Sequence, residues 1–130
     1  MRIIEVPTAP PFGTIPVNTA RIYAVRPHAA APTKAADLLI ESAGARSILA
    51  EVAFDTVASL LGPEFVEFRM ADLARTPCRL NRTLWVSINP HPQVSNVTQV
   101  NFGDHMVSVE GTVGTVLPRL RQTDQPTVSS

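Results

Sequence analysis

The sequence predicts an α+β domain in which an αα-hairpin with a buried central helix packs on a mainly antiparallel sheet, behind a proline-rich N-terminal arm. Three observations lead there. Ser47 to Gly62 is apolar around most of a helical circumference, with Glu51, Asp55 and Ser59 as a narrow polar stripe. From Phe65 onward the period falls to two, as in half-buried strands. Before residue 33 the chain is broken by Pro7, Pro10, Pro11, Pro16, Pro27 and Pro32, which excludes long helices.

Taken in order, Arg2–Val6, Thr14–Val17 and Arg21–Val25 have strand composition, with residues 1–19 able to extend as an arm onto a neighbouring subunit. Thr33–Ala43 reads as a first helix stopped at Gly44. The central helix follows from the cap Ser47 to the stop Gly62-Pro63. Val66, Phe68 and Met70 share one face of a strand, 71–81 is a loop, and Thr83–Asn89 alternates again with Trp85 on its less apolar face. Val94–Phe102 and Met106–Val109 form a hairpin around Gly103-Asp104, and Thr112–Leu117 adds a last strand before Pro118. One domain spans 1–120, and 121–130 is a mobile or partner-docked tail.

At 130 residues, 17% charged and net charge 0, the chain has no global field that would draw nucleic acid or an anionic membrane. A helix-turn-helix reading of the two helices fails because the second would offer DNA only Glu51, Asp55 and Ser59. Nucleic acid is therefore not expected as a partner. No apolar run is long enough to span a bilayer, and the N-terminus lacks the core of a signal peptide, so a cytoplasmic or virion location is expected. Asn81-Arg-Thr83 and Asn96-Val-Thr98 match the glycosylation pattern, which has no use without secretion.

Cys78, the single cysteine, stands among Arg75, Arg79 and Arg82, whose charge would favour a thiolate, yet no base is placed beside it. His28, His91 and His105 form no metal-ligand spacing, and no cofactor is expected. The arginines give residues 65–82 a net charge of +2, while 33–64 carries −3, so the two segments are expected to pair with each other. Arg75, Arg79 and Arg82 are also the residues that would grip a small anionic ligand. Trp85 and Phe12 are the candidate interface anchors.

Val25-Arg-Pro27, the pattern S-x-x-x-E ending in L-L-G over Ser47–Gly62, and Val66-Glu-Phe-Arg-Met70 together resemble the core of the small viral ring nucleases that act as type III anti-CRISPR proteins. The resemblance implies a homodimer binding cyclic tetra-adenylate between its subunits. That family has a catalytic His immediately before the helix Glu; Ala50 stands there in this chain, so binding without cleavage is what carries over. The expectation from the residues themselves is a non-enzymatic, self-associating structural or interaction protein, a homo-oligomeric subunit of a viral or other assembly. The ring-nuclease-like ligand binder is the alternative.

Overall fold

Leu38-Leu39-Ile40 and Ile48-Leu49 are unbroken apolar runs, and such a run suits a strand covered on both faces as well as it suits a buried helix. In the computed structural model, which describes residues 3–40 and 47–121, they are strands. The chain runs β1 (Ile3–Pro7), β2 (Thr14–Asn18), a 3-10 turn (Thr19–Arg21), β3 (Ile22–Pro27), β4 (Ala36–Ile40) and β5 (Ser47–Ala50). It continues through α1 (Phe54–Ala58), β6 (Phe65–Arg69), β7 (Pro77–Asn81), β8 (Ser87–Pro90), β9 (Val97–Asn101), β10 (Met106–Glu110) and α2 (Val113–Arg121).

The strands form three antiparallel sheets: β1-β2, a five-stranded sheet in the order β5-β4-β3-β7-β6, and β10-β9-β8. The five-stranded sheet is the middle layer. One of its faces, with Val25, Ala36, Leu38 and Phe65, packs against Ile4, Val6 and Val17 of the first hairpin and Phe54 and Val57 of α1. The other, with Tyr23, Ala24, Leu39, Phe68 and Leu80, packs against Val100, Val107 and Val109 of the third sheet and Val116 and Leu120 of α2. A register shift between Ile22 and Ala24 lets Tyr23 and Ala24 face the same side.

Both edges of the middle sheet are managed. Along β6, Arg119 of α2 donates to the Glu67 carbonyl and lays its guanidinium 4.3 Å from the centre of the Phe68 ring. Beyond it Met70 bridges to Val109, and the Ala71 N–H donates to the Ser108 carbonyl at 3.0 Å. Past the end of β5, the Glu51 N–H donates to the Pro7 carbonyl at 2.8 Å, tying the first hairpin down.

This architecture corrects the predicted α+β fold. Among the described residues there is no αα-hairpin: the span read as the first helix carries β4 through Ile40, with 41–43 and Gly44 outside the described residues. The span read as the central helix is β5 followed by five residues of α1, whose cap is Ala53 and not Ser47. Leu60, expected inside a helix, is exposed beyond α1. The arm is a hairpin buried on its own chain's core, so its proline breaks mark turns within the fold. Within 71–81, expected as loop, lies β7, the strand that joins β3 to β6. Thr112–Leu117, expected as a strand, is instead the approach to and first turns of α2, where Val113, Val116, Leu117 and Leu120 are spaced for one helix face.

Candidate functional site

Strand register brings two connections to one end of the middle sheet, and a third lies beside them. Pro27 pairs with Ala36, Ala36 with Ala50, and Arg69 with Pro77, so loops 28–35 and 70–76 emerge at the same end. Loop 91–96, between β8 and β9, lies beside loop 70–76, and the two enclose a cavity of about 690 Å³ whose lining includes Asp72, Arg75, His91, Asn96, Ser108 and Glu110.

Loop 70–76 is built as a closed turn. Asp72 accepts from the Thr76 N–H at 2.9 Å and from the Thr76 hydroxyl at 2.7 Å, and its carbonyl accepts from the Arg75 N–H at 3.1 Å. The Thr76 N–H beside it, helped by the Thr76 hydroxyl and the neighbouring backbone N–H groups and opposed by partial burial, holds the Asp72 carboxyl below its ordinary pKa. Arg75 closes the turn in the left-handed region at φ 53°, and its carbonyl accepts from Arg69 Nη1 at 3.4 Å. Leu73 is left fully exposed at the tip.

Arg75 is held from the side. Its Nε lies 2.7 Å from Glu110 Oε2, and its Nη2 donates to Glu110 Oε1 at 2.9 Å, a two-point fork. In loop 91–96, His91 Nδ1 accepts from the Gln93 and Val94 N–H groups at 3.1 and 3.0 Å, which leaves Nε2 as the ring's donor. Asn96 turns the chain with φ 64°, and its carbonyl takes the Gly111 N–H at 2.8 Å. At loop 28–35, His28 Nδ1 is 2.8 Å from Asp37 Oδ1, and Arg26 Nε is 3.6 Å from Asp37 Oδ2. Lys34 is exposed and makes no ion pair among the described residues.

The three arginines singled out in the sequence do not converge. Only Arg75 lines the cavity. Arg79 stands beside Val25 on the α1 face of the middle sheet, 3.7 Å from Glu67, with its Nε buried and without a hydrogen-bond partner among the described residues. Arg82 follows β7 at the opposite end of the sheet, where its N–H donates to the Glu64 carbonyl. Of the ion pairs among the described residues, Asp37 of the acidic segment meets Arg26 and His28, and Glu67 meets Arg79 from its own segment. Trp85 is half-buried against the second core cluster, and Phe12 is exposed at the turn between β1 and β2. His105 sits far from the cavity, edge-on to Tyr23 at 5.6 Å. Among the described residues no three metal-binding side chains come together.

Cys78 is buried on the second core face, and burial, the largest influence, pushes its thiol from 9.0 to about 12 despite nearby Arg26. A neutral thiol of this kind is no nucleophile. A thiol reagent at about pH 8 is expected to leave it unmodified until the protein unfolds. The linkage sign follows: the folded state keeps the proton that the unfolded state loses, so this stabilisation is complete below pH 9.0 and is lost between there and about 12. Cys78→Ala should flatten that alkaline limb of the stability curve. Rapid modification of the native protein would refute the assignment.

Of the site's parts, Asp72 with Thr76 is the one that spacing alone signals, as a turn closed by an Asp side chain. Glu110 and the His28–Asp37 pair depend on strand register and could not be placed without it.

No family model and no curated protein matches the chain. Its fold is similar to that of a solved LytTr DNA-binding domain from Bacillus cereus, with a TM-score of 0.61 and 14% sequence identity over 95% of this chain and 99% of that one. This largely β architecture replaces the ring-nuclease resemblance: Ala50, aligned there with a helical catalytic position, ends a strand.

Proposed function

We propose that the chain is a duplex-DNA-binding module that meets DNA with the end of the molecule formed by loops 28–35, 70–76 and 91–96. The observation that carries the proposal is the likeness in fold, over nearly the whole chain, to a LytTr DNA-binding domain. That likeness overturns the expectations of an assembly subunit, of a ring-nuclease-like binder and of a chain indifferent to nucleic acid. The argument against nucleic acid assumed a recognition helix, and the span in question holds a strand and a helix of five residues. The virion location falls with the assembly reading. Among the described residues no helix is long and apolar enough to cross a membrane.

The chemistry of this end suits the task. Lys34 and Arg69 are cations free of ion pairs among the described residues, and Arg75, whose carbonyl accepts from Arg69, is a third cation at this end. Gln93, Ser95 and Asn96 are exposed and neutral, and together with His91 at the cavity wall they offer the donors and acceptors that read base edges. With net charge 0, attraction must be local and shallow.

Fluorescence anisotropy with a pool of random 25-base-pair duplexes, titrated over a salt series, tests this. Neutralising two to four phosphates should give a log–log salt slope of about −2 to −4. Lys34→Gln and Arg69→Gln should each reduce that slope by about 1 while leaving the melting temperature in place. An absence of binding at low salt, or variants that bind as the parent does, would overturn the proposal.

A further inference from the structure

Arg75 stands in loop 70–76 of the proposed DNA-facing end, yet its charge is already answered from within the chain. Its side chain is 69% exposed and that of Glu110 31%, so the pair lies at the rim of the cavity and not in the core. The two contacts, at 2.7 and 2.9 Å, use the Nε and Nη2 side of the guanidinium. That edge is the one that takes two oxygens of a phosphate, or O6 and N7 of a guanine, in the same side-on geometry. One edge holds one such acceptor at a time. The backbone on both sides is fixed: Arg75 by the Asp72–Thr76 turn, and Glu110 by the β9–β10 ladder and the neighbouring Val109–Met70 bridge.

We infer that Glu110 is an internal competitor for Arg75, a carboxylate that occupies the guanidinium edge a DNA phosphate or guanine would take and so holds down affinity. The inference rests on the DNA-binding proposal. An exposed ion pair is weak, so DNA can displace Glu110, but the displaced carboxylate remains at the interface and repels phosphate. Asp72, on the same cavity wall, is committed to Thr76 and does not compete for that edge.

The test is a double-mutant cycle with Glu110→Gln and Arg75→Gln in the full chain, read by anisotropy on the same duplex pool at about 0.1 M KCl. Releasing Arg75 should allow one more counterion to be displaced from DNA, so Glu110→Gln is expected to tighten binding about five- to tenfold and to steepen the salt slope by about 1. In the Arg75→Gln background the gain should shrink to about twofold or less. Glu110→Asp, which keeps the charge and shortens the reach, should also tighten binding. Equal tightening in both Arg75 backgrounds would make Glu110 a general repulsive charge and overturn the inference, as would weaker binding by Glu110→Gln, which would mean that the carboxylate holds Arg75 in a productive pose. If the parent and every variant fail to bind at low salt, the DNA-binding proposal itself fails.

Discussion

Leu38→Ala should lower the free energy of unfolding by about 3–5 kcal/mol in urea denaturation, the upper part of the range for core truncation. Leu38 is fully buried in β4, next to β3 at Val25 and β5 at Ile48, on the face that meets the first hairpin and α1. A middle sheet covered on both sides cannot easily move inward to fill the space, since shifting β4 toward one layer withdraws Leu39 from the other. Leu49, one strand away and 42% exposed, is the control; truncating it should cost less than about 1 kcal/mol. Similar losses at both positions would contradict the layered core.

How much of this was legible in the sequence depended on how each strand is covered. β1, β2, β3, β6 and the β9–β10 hairpin were readable to within a few residues, because proline, glycine and period-two patterning bound them. β4 and β5 were not, since burial on both faces removes the polar alternation that marks a strand and leaves runs such as Leu38-Leu39-Ile40. Arg79, the polar residue in the middle of β7, hid that strand for the opposite reason: a cation at a half-buried sheet position reads as loop. The site suffered most. Arg75, Arg79 and Arg82 look like one cluster along the chain, but β7 sends Arg79 to a sheet face and Arg82 to the far end, while Arg75 remains in the turn before the strand. Glu110, 35 residues from Arg75, is brought to it only by the return of β10 to β6.

Asn81→Ala is expected to cost about 2–4 kcal/mol, a large effect for a polar residue, because three hydrogen bonds are lost where water does not reach. The side chain is fully buried at the end of β7. Its Nδ2 donates to the Ile22 carbonyl at 3.0 Å, and its Oδ1 accepts from the Thr83 N–H at 2.9 Å and the Thr83 hydroxyl at 2.7 Å. The pairing of β3 with β7 that it clamps consists of only Ala24 with Leu80 and Val25 with Arg79. That short ladder carries β6, β7 and their connecting loop, so loosening it should also move Arg75 relative to loop 28–35. Thr83→Ala, which spares the bond to Ile22, should cost about 1 kcal/mol. Asn81→Asp should be the worst variant near neutral pH, because a carboxylate oxygen would face the Ile22 carbonyl; it should recover on acidification, when the protonated carboxyl can again donate. Chemical denaturation of the three variants at neutral and acidic pH checks the ordering, and an Asn81→Asp variant indifferent to pH would show that the amide does not face Ile22. The same burial means that Asn81, despite its Asn81-Arg-Thr83 motif, presents no amide for glycosylation in the folded chain.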